Sequence, residues 1–314
     1  MVRRAKIVII GAGAVGSTFA YTLVRVGLFG EIVLVDANRE RAEGEAMDLN
    51  HGLFFAPHVE IRSGDYADCA DAAIVAITAG AKQKPGESRL DLVQRNTEIC
   101  KQIVANILKY TRDAILLMVT NPVDILTYVA HKVSGLPANR VIGSGTVLDS
   151  ARFRYMLSEH CNIDPRNVHA YVLGEHGDSE VAAWSLTHIG GIPILQFCSA
   201  CEINCSVEER KRISDAVRDS AYHIIEYKGA TNFAVSLALD NIVGAIVRDS
   251  NSVLTVSIPL EGQFGLSNVA LSVPAVINQN GVSRILQATL SEDELKGLER
   301  SAAALKNVIS QLSI

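Results

Sequence analysis

The sequence has no excess of basic charge. Its 29 Lys and Arg stand against 34 Asp and Glu, a formal net charge of -5 over 314 residues. Neutralising a run of phosphates takes clustered cations in excess, so a broad nucleic-acid surface is excluded. Any anionic ligand has to be held by a few placed cations instead. Long apolar runs are also missing, and nothing approaches the roughly 20 residues that span a bilayer. The apolar stretch 7–10 behind the basic N-terminus runs straight into glycine, too short for the apolar region of a signal peptide. The chain is therefore expected in the cytoplasm, with neither nucleic acid nor membrane as a partner. Cysteine is sparse, six residues in all, which suits a reducing compartment without a disulfide framework. Cys198, Cys201 and Cys205 lie near one another, but with no neighbouring His they leave a structural zinc site one ligand short. They read as loop and core thiols, and no metal is expected.

What is present is a hydrophobic content of 48%, enough to fill one large core or two moderate ones. Short β-branched runs at 7–10, 32–35, 74–78, 115–119 and 141–142 alternate with amphipathic stretches at 15–26 and 90–110. Strands alternating with helices imply a parallel sheet covered on both faces. After about Gly145 the pattern changes. A helical stretch at 146–161 and further helices near 206–247 are followed by β-rich sequence at 252–277. A last helix is expected after Ser291, where Ser-Glu-Asp-Glu supplies an N-cap and an acidic first turn. The predicted fold class is α/β: a Rossmann doubly wound parallel sheet over 1–145, followed by an α+β catalytic and substrate domain over 146–314. Neither a low-complexity linker nor an internal repeat separates the halves, so a tightly packed pair with a ligand cleft between them is expected.

The run Lys6-Ile-Val-Ile-Ile10 leads into Gly11-Ala-Gly13-Ala-Val-Gly16 and then at once into a helical pattern. Gly11 suits the tight turn, Gly13 lets backbone approach a pyrophosphate, and Gly16 lets the helix pack closely, with its N-terminus towards the phosphates. The triplet alone is a weak signal; its place between strand and helix makes it a dinucleotide site. The next strand ends on Asp36, 20 residues beyond Gly16. A carboxylate there can accept from both ribose hydroxyls and repels a 2′-phosphate, which favours NAD over NADP.

Two further segments carry chemistry. His176 sits in Gly174-Glu-His-Gly-Asp178, and Asp149 and Arg152 are three residues apart, on one helix face. A proton donor for a developing alkoxide and a guanidinium fork for a carboxylate are what reduction of a 2-oxo acid requires. Taken singly, each also reads as a solvated imidazole, a helix-terminal carboxylate or a surface charge.

With these go Thr78-Ala-Gly-Ala81, Gly86-Glu-Ser-Arg-Leu-Asp-Leu-Val-Gln-Arg95, Val119-Thr-Asn-Pro-Val-Asp124, Gly143-Ser-Gly-Thr146 and Leu148-Asp-Ser-Ala-Arg152. Over essentially its whole length the chain resembles the bacterial-type L-lactate dehydrogenases of the lactate/malate dehydrogenase superfamily. The resemblance implies an oxidoreductase of fermentation that passes a hydride between NADH and pyruvate to give L-lactate and NAD+. It implies His176 as proton donor, Asp149 as its carboxylate partner, Arg152 as a bidentate grip on the substrate carboxylate, and Arg89 as the cation that polarises the carbonyl. Asn121 corresponds to the family's residue at the nicotinamide and substrate edge. Val15, Arg41, Tyr66, Gly80, Ala81 and Ser144 correspond to further NAD contacts. The polar stretch between Gly80 and Arg89 is suited to a closing lid. In it Gln83 stands where malate dehydrogenases carry Arg, which points to pyruvate rather than oxaloacetate. Thr231 corresponds to the residue that crowds the substrate side chain, although a helix N-cap would also account for it. Arg154 and His169 correspond to positions through which many bacterial members bind the activator fructose 1,6-bisphosphate at a subunit interface, and a homotetramer is implied. The competing readings are a malate dehydrogenase and a catalytically silent dehydrogenase fold kept for binding or structure.

Overall fold

The first run of β-branched residues forms β1 (Lys6–Ile10), and every one of its five positions is buried. A strand covered on both faces needs no alternation of polar residues, which is why the sequence reads as continuously apolar there. The structure is a computed structural model that describes residues 5–82, 86, 88–201, 203 and 205–313. Behind β1 follow α1 (Ala14–Val26), β2 (Glu31–Val35), α2 (Arg39–His51), β3 (Glu60–Ser63), β4 (Ile74–Ile77), α3 (Arg89–Ile107), β5 (Ile115–Met118), α4 (Val123–Ser134) and β6 (Val141–Gly143). The helix α1 buries Gly16, Phe19, Ala20, Leu23 and Val24, a stripe at helical period. It ends on Gly27 in the left-handed region, whose amide donates to the Leu23 carbonyl.

The second half runs α5 (Val147–Cys161), β7 (Val168–His169), β8 (Val172–Leu173), β9 (Val181–Ala182), β10 (His188–Ile189), β11 (Ile192–Pro193) and α6 (Ile194–Ala200). It continues with α7 (Val207–Lys228), α8 (Phe233–Val247), β12 (Ser252–Glu261), β13 (Ser267–Asn278), β14 (Gly281–Ile285) and α9 (Glu292–Ile309). The last helix opens as the sequence predicts: Ser291 and Glu294 close a reciprocal capping box.

Among the described residues nine strands make one sheet in the order β14-β13-β12-β6-β5-β4-β1-β2-β3. The block from β6 to β3 is parallel, and its order reverses direction between β1 and β4, the place where an open α/β sheet leaves a crevice at its strand ends. The β-rich stretch 252–277 becomes the antiparallel pair β12 and β13, and β12 joins the parallel block through Ser257 opposite Gly143 on β6. The same sheet therefore runs through both halves of the chain, and α8 packs along α1. A smaller core of Phe153, Leu157, Val168, Ile213 and Val217 lies under α5 and α7, with Phe153 edge-on to Trp184 at 4.9 Å.

Two elements lack a sequence signal. The helix α2 buries only Ala42 and Ala46, and β3 buries only Ile61, so neither shows an apolar period. Pairing with β2 places β3, and packing of α2 on β3 places the helix. The clustered thiols divide between core and surface. Cys161 and Cys198 are buried in the smaller core, Cys201 is exposed and Cys205 lies between. Burial pushes the Cys198 thiol up to about 12. Among the described residues no group of three His, Cys, Asp or Glu side chains could hold a metal ion, and no helix is long and apolar enough to cross a membrane.

Candidate active site

The site begins at the turn between β1 and α1. Gly11 has φ +111°, and a Cβ there would stand 2.6 Å from the Ala79 amide nitrogen. A Cβ on Gly16 would stand 1.9 Å from the Gly11 carbonyl oxygen and 2.9 Å from Thr78 Oγ1. Gly16 is thus the point where α1 lies against its own turn and the end of β4. A Cβ on Gly13 would meet nothing within 4 Å, so this residue borders open space. Gly16→Ala is expected to destabilise the fold by at least about 1–3 kcal/mol, the usual cost of overpacking, and to weaken NADH binding. A thermal midpoint and an NADH titration both equal to wild type would contradict this.

Open space continues as a cavity of about 830 Å³ bordered by Gly11, Gly13, Val15, Gly16, Asp36, Arg41, Tyr66, Gly80 and Ala81. Nine predicted cofactor positions therefore converge at the reversal point of the sheet, around a volume suited to a large ligand. The Asp36 carboxylate is fixed by accepting from the Ala12 amide at 2.7 Å and from the Asn38 amide at 2.9 Å. The amide ends at α1 and the carboxylate at the end of β2 fit a dinucleotide: donors for phosphates, an acceptor for ribose.

A second cavity of about 140 Å³ also touches Val15 and is bordered by Asn121, Ser144, Arg152, His176 and Thr231. Asp149 lies in the first turn of α5, buried beneath it, where the helix N-terminus favours an anion. One turn on, Arg152 Nη1 donates to Asp149 Oδ1 at 2.7 Å. The other carboxylate oxygen meets His176 Nδ1 at 2.5 Å. With Nδ1 committed to a carboxylate as donor, Nε2 is the ring nitrogen left for a ligand. His176 reaches this place because Gly174 forms a bridge to Ser272 on β13, and the next amide, Glu175 N, donates to Ser301 Oγ at 2.6 Å.

Burial works against a charged His176, but the charge and hydrogen bond of Asp149, with charge from Asp124 and Glu180, lift its pKa to about 9. For Asp149 burial acts upward and is outweighed by His176 and Arg152, which hold the carboxyl below its ordinary value. The pair is an imidazolium facing a carboxylate at neutral pH, with a guanidinium beside it.

A Rossmann crevice with this dyad is matched along the sequence by two family models: lactate/malate dehydrogenase, NAD binding domain, over residues 5–143, and lactate/malate dehydrogenase, alpha/beta C-terminal domain, over residues 146–313. The chain belongs to the lactate/malate dehydrogenase family. Its cofactor is NAD. It is 58% identical over 309 residues to an L-lactate dehydrogenase of Thermoanaerobacter pseudethanolicus, covering 98% of this chain and 99% of that one. With an L-lactate dehydrogenase of Acetivibrio thermocellus it shares 57% identity over 310 residues, 98% of each chain. A crystal structure of a minor L-lactate dehydrogenase from Enterococcus mundtii, in the ligands-bound form, superposes with a TM-score of 0.96 at 41% identity, covering 99% of both chains.

Other predicted positions fall differently in this member of the family. Gln83 lies outside the described residues, as does the side chain of Arg89, which takes the first position of α3. The position after Thr231, Asn232, is the N-cap of α8, without a capping bond from its side chain. The N-cap explanation of Thr231 is therefore corrected: its place is on the small cavity. Arg154 and His169 stand apart from the dyad. Arg154 lines a different cavity of about 240 Å³, stacks on Tyr171, and donates from Nε to the Ala170 carbonyl at 3.0 Å. His169 is exposed on β7, next in sequence to that carbonyl.

Three residues were not singled out from the sequence. Asn96 is buried on α3, where its Oδ1 accepts from the Ala81 amide at 2.8 Å and its Nδ2 donates to the Asn121 carbonyl at 3.1 Å, tying the exit of β4 to the exit of β5. An Asn on the apolar stripe formed by Val93, Cys100 and Val104 was the available signal. Glu180 lies among Asp149, His176, Arg152 and Arg218, and burial, with repulsion from Asp149, pushes its carboxyl up to about 8. Asp124 is buried against the His176 amide. No spacing rule connects Glu180 or Asp124 to the dyad.

Proposed function

We propose that the chain is an NAD-dependent L-lactate dehydrogenase, which reversibly reduces pyruvate to L-lactate with NADH. The observation that carries this is the buried Asp149–His176 pair beside Arg152, set on a cavity that adjoins the dinucleotide crevice at Val15. When bound, the nicotinamide supplies or accepts the hydride. The residues of the chain do the rest. Gly11, Gly13 and the start of α1 receive the pyrophosphate, and Asp36 the adenosine ribose. Arg152 grips the substrate carboxylate with the part of its fork that Asp149 leaves free. His176 gives its Nε2 proton to the carbonyl oxygen as charge develops there, and takes it back when lactate is oxidised. Asp149 stabilises the imidazolium and keeps the ring oriented. Asn121 lies at the substrate edge, Arg89 polarises the carbonyl, and Thr231 crowds the substrate methyl.

Pyruvate rather than oxaloacetate is favoured by Gln83, which offers no cation for a second carboxylate; leaving that group buried and unpaired is costly. We further propose activation by fructose 1,6-bisphosphate through Arg154 and His169, in a cytoplasmic homotetramer serving fermentation. Arg154 bonds to the Ala170 carbonyl, next in sequence to the exposed His169, so the two residues stand close along the fold. Symmetry-related copies would double them against the two phosphates. Steady-state turnover of NADH with pyruvate is expected to exceed that with oxaloacetate by at least about a hundredfold in kcat/KM, the cost of an unpaired polar group. The sugar bisphosphate is expected to lower the KM for pyruvate. A preference for oxaloacetate overturns the lactate assignment and leaves malate dehydrogenase; a saturation curve unmoved by the bisphosphate overturns the effector site. Absence of turnover with both acids leaves the binding or structural reading.

A further inference from the structure

We propose that Asp124 is a positioning residue, a second carboxylate that holds the backbone of His176 in place and supports its charged form. It lies in the first turn of α4, in the Val119-Thr-Asn-Pro-Val-Asp124 segment, and is 2% exposed. Its Oδ2 accepts from the His176 backbone amide at 2.7 Å, and its Oδ1 accepts from Ser257 Oγ at 2.5 Å. One side chain thereby joins α4, β12 and the segment that carries the proton donor, pieces that are 52 and 133 residues from Asp124 along the chain.

Among the described ion pairs Asp124 has no Lys or Arg partner. A buried carboxylate without a cation is expensive unless hydrogen bonds and nearby positive charge compensate it. Three sources do so here: the two donors, the N-terminus of α4, and the imidazolium of His176. Burial pushes the Asp124 carboxyl up to about 6, against the pull of Ser257 and His176. The other charged groups around His176 are Asp149 and Arg152 on α5, Glu175 and Glu180 on its own segment, and Arg218 on α7, which faces Glu180. Asp124 is the member of this set that touches the backbone of His176. It therefore affects both where the ring sits and how firmly it keeps its proton. Between about pH 6 and about pH 9 the carboxylate is charged and the imidazole protonated together. Below that window Asp124 gains a proton and its support is lost.

The proposal rests on His176 as the proton donor of the reading above, so its test includes a measurement that needs no substrate. Asp124→Asn removes the charge and keeps an acceptor for the His176 amide, with Ser257 able to accept from the new amide. In the protein labelled with 15N-histidine, the His176 ring is expected to titrate at least about half a unit lower than in wild type, as for loss of a nearby charge. The upper limb of kcat/KM for pyruvate is expected to move down by the same amount, with NADH binding unchanged. A role in structure alone would lower activity equally at every pH and leave the ring titration where it was; that outcome overturns the proposal. Should Asp124→Asn not fold, Ser257→Ala removes one donor and leaves the charge. The acid limb is then expected to rise above its wild-type position, and an unmoved acid limb also overturns the proposal. A shifted ring titration without pyruvate turnover would support the role of Asp124 and count against the lactate assignment instead.

Discussion

His176→Ala is expected to lower kcat for pyruvate reduction by about a hundred- to ten-thousandfold, the usual contribution of a positioned general acid, while NADH binding stays within a few-fold of wild type. The physical reason is separation. The dinucleotide crevice is built from Gly11, Gly13, Asp36 and the exit of β4, whereas His176 borders the smaller cavity beyond Val15. The pH profile of the wild-type enzyme carries the same information. Reduction needs the protonated ring, so kcat/KM for pyruvate is expected to hold at neutral pH and fall as pH rises through about 9; lactate oxidation needs the neutral ring and rises over the same range. Fluorescence titration with NADH and single-turnover oxidation of NADH separate the two effects. A variant that retains most of its turnover would remove His176 from the chemistry, and a variant that no longer binds NADH would show that the cavities are not independent.

The second large effect is expected at Asp149. Asp149→Asn leaves Arg152 and His176 where they are and takes away the charge between them, held at 2.7 and 2.5 Å in wild type. Removing one partner of a buried ionic cluster costs about 3–5 kcal/mol, because the remaining charge loses its compensation. The loss of stability therefore exceeds that of His176→Ala, which leaves Asp149 paired with Arg152. The direction with pH follows from the ring. His176 binds its proton more tightly in the folded chain, about 9 against 6.5, so its contact with Asp149 contributes in full below pH 6.5 and is lost as pH rises through about 9. The stability gap between wild type and Asp149→Asn should accordingly narrow at alkaline pH. Denaturant melts at pH 6.5 and pH 10 test this; a gap of equal size at both would place the stabilisation in Arg152 alone.

What the sequence determined by itself is everything carried by neighbours in the chain. The glycine turn between β1 and α1, the acid at the end of β2, the capping box at Ser291 and Glu294, and the shared helix face of Asp149 and Arg152 are legible because local backbone geometry brings residues three, four or a few positions apart together. Resemblance extended that reading to His176, Asn121 and Thr231. Tertiary structure alone decided the remainder. Asp124 meets the His176 amide across 52 residues and Ser257 across 133, distances at which no periodicity applies; the Asp149–His176 pair, 27 residues apart, is expected from resemblance and not from spacing. The weakly apolar α2 and β3 exist because β2 offers an edge to pair with, and Ser257 reaches Asp124 because β12 joins the sheet opposite Gly143 on β6. The charge states follow the same division: the residue types name the acid and the base, but burial and the convergence of Asp124, Asp149, Glu180 and Arg152 around one ring set which of them holds a proton.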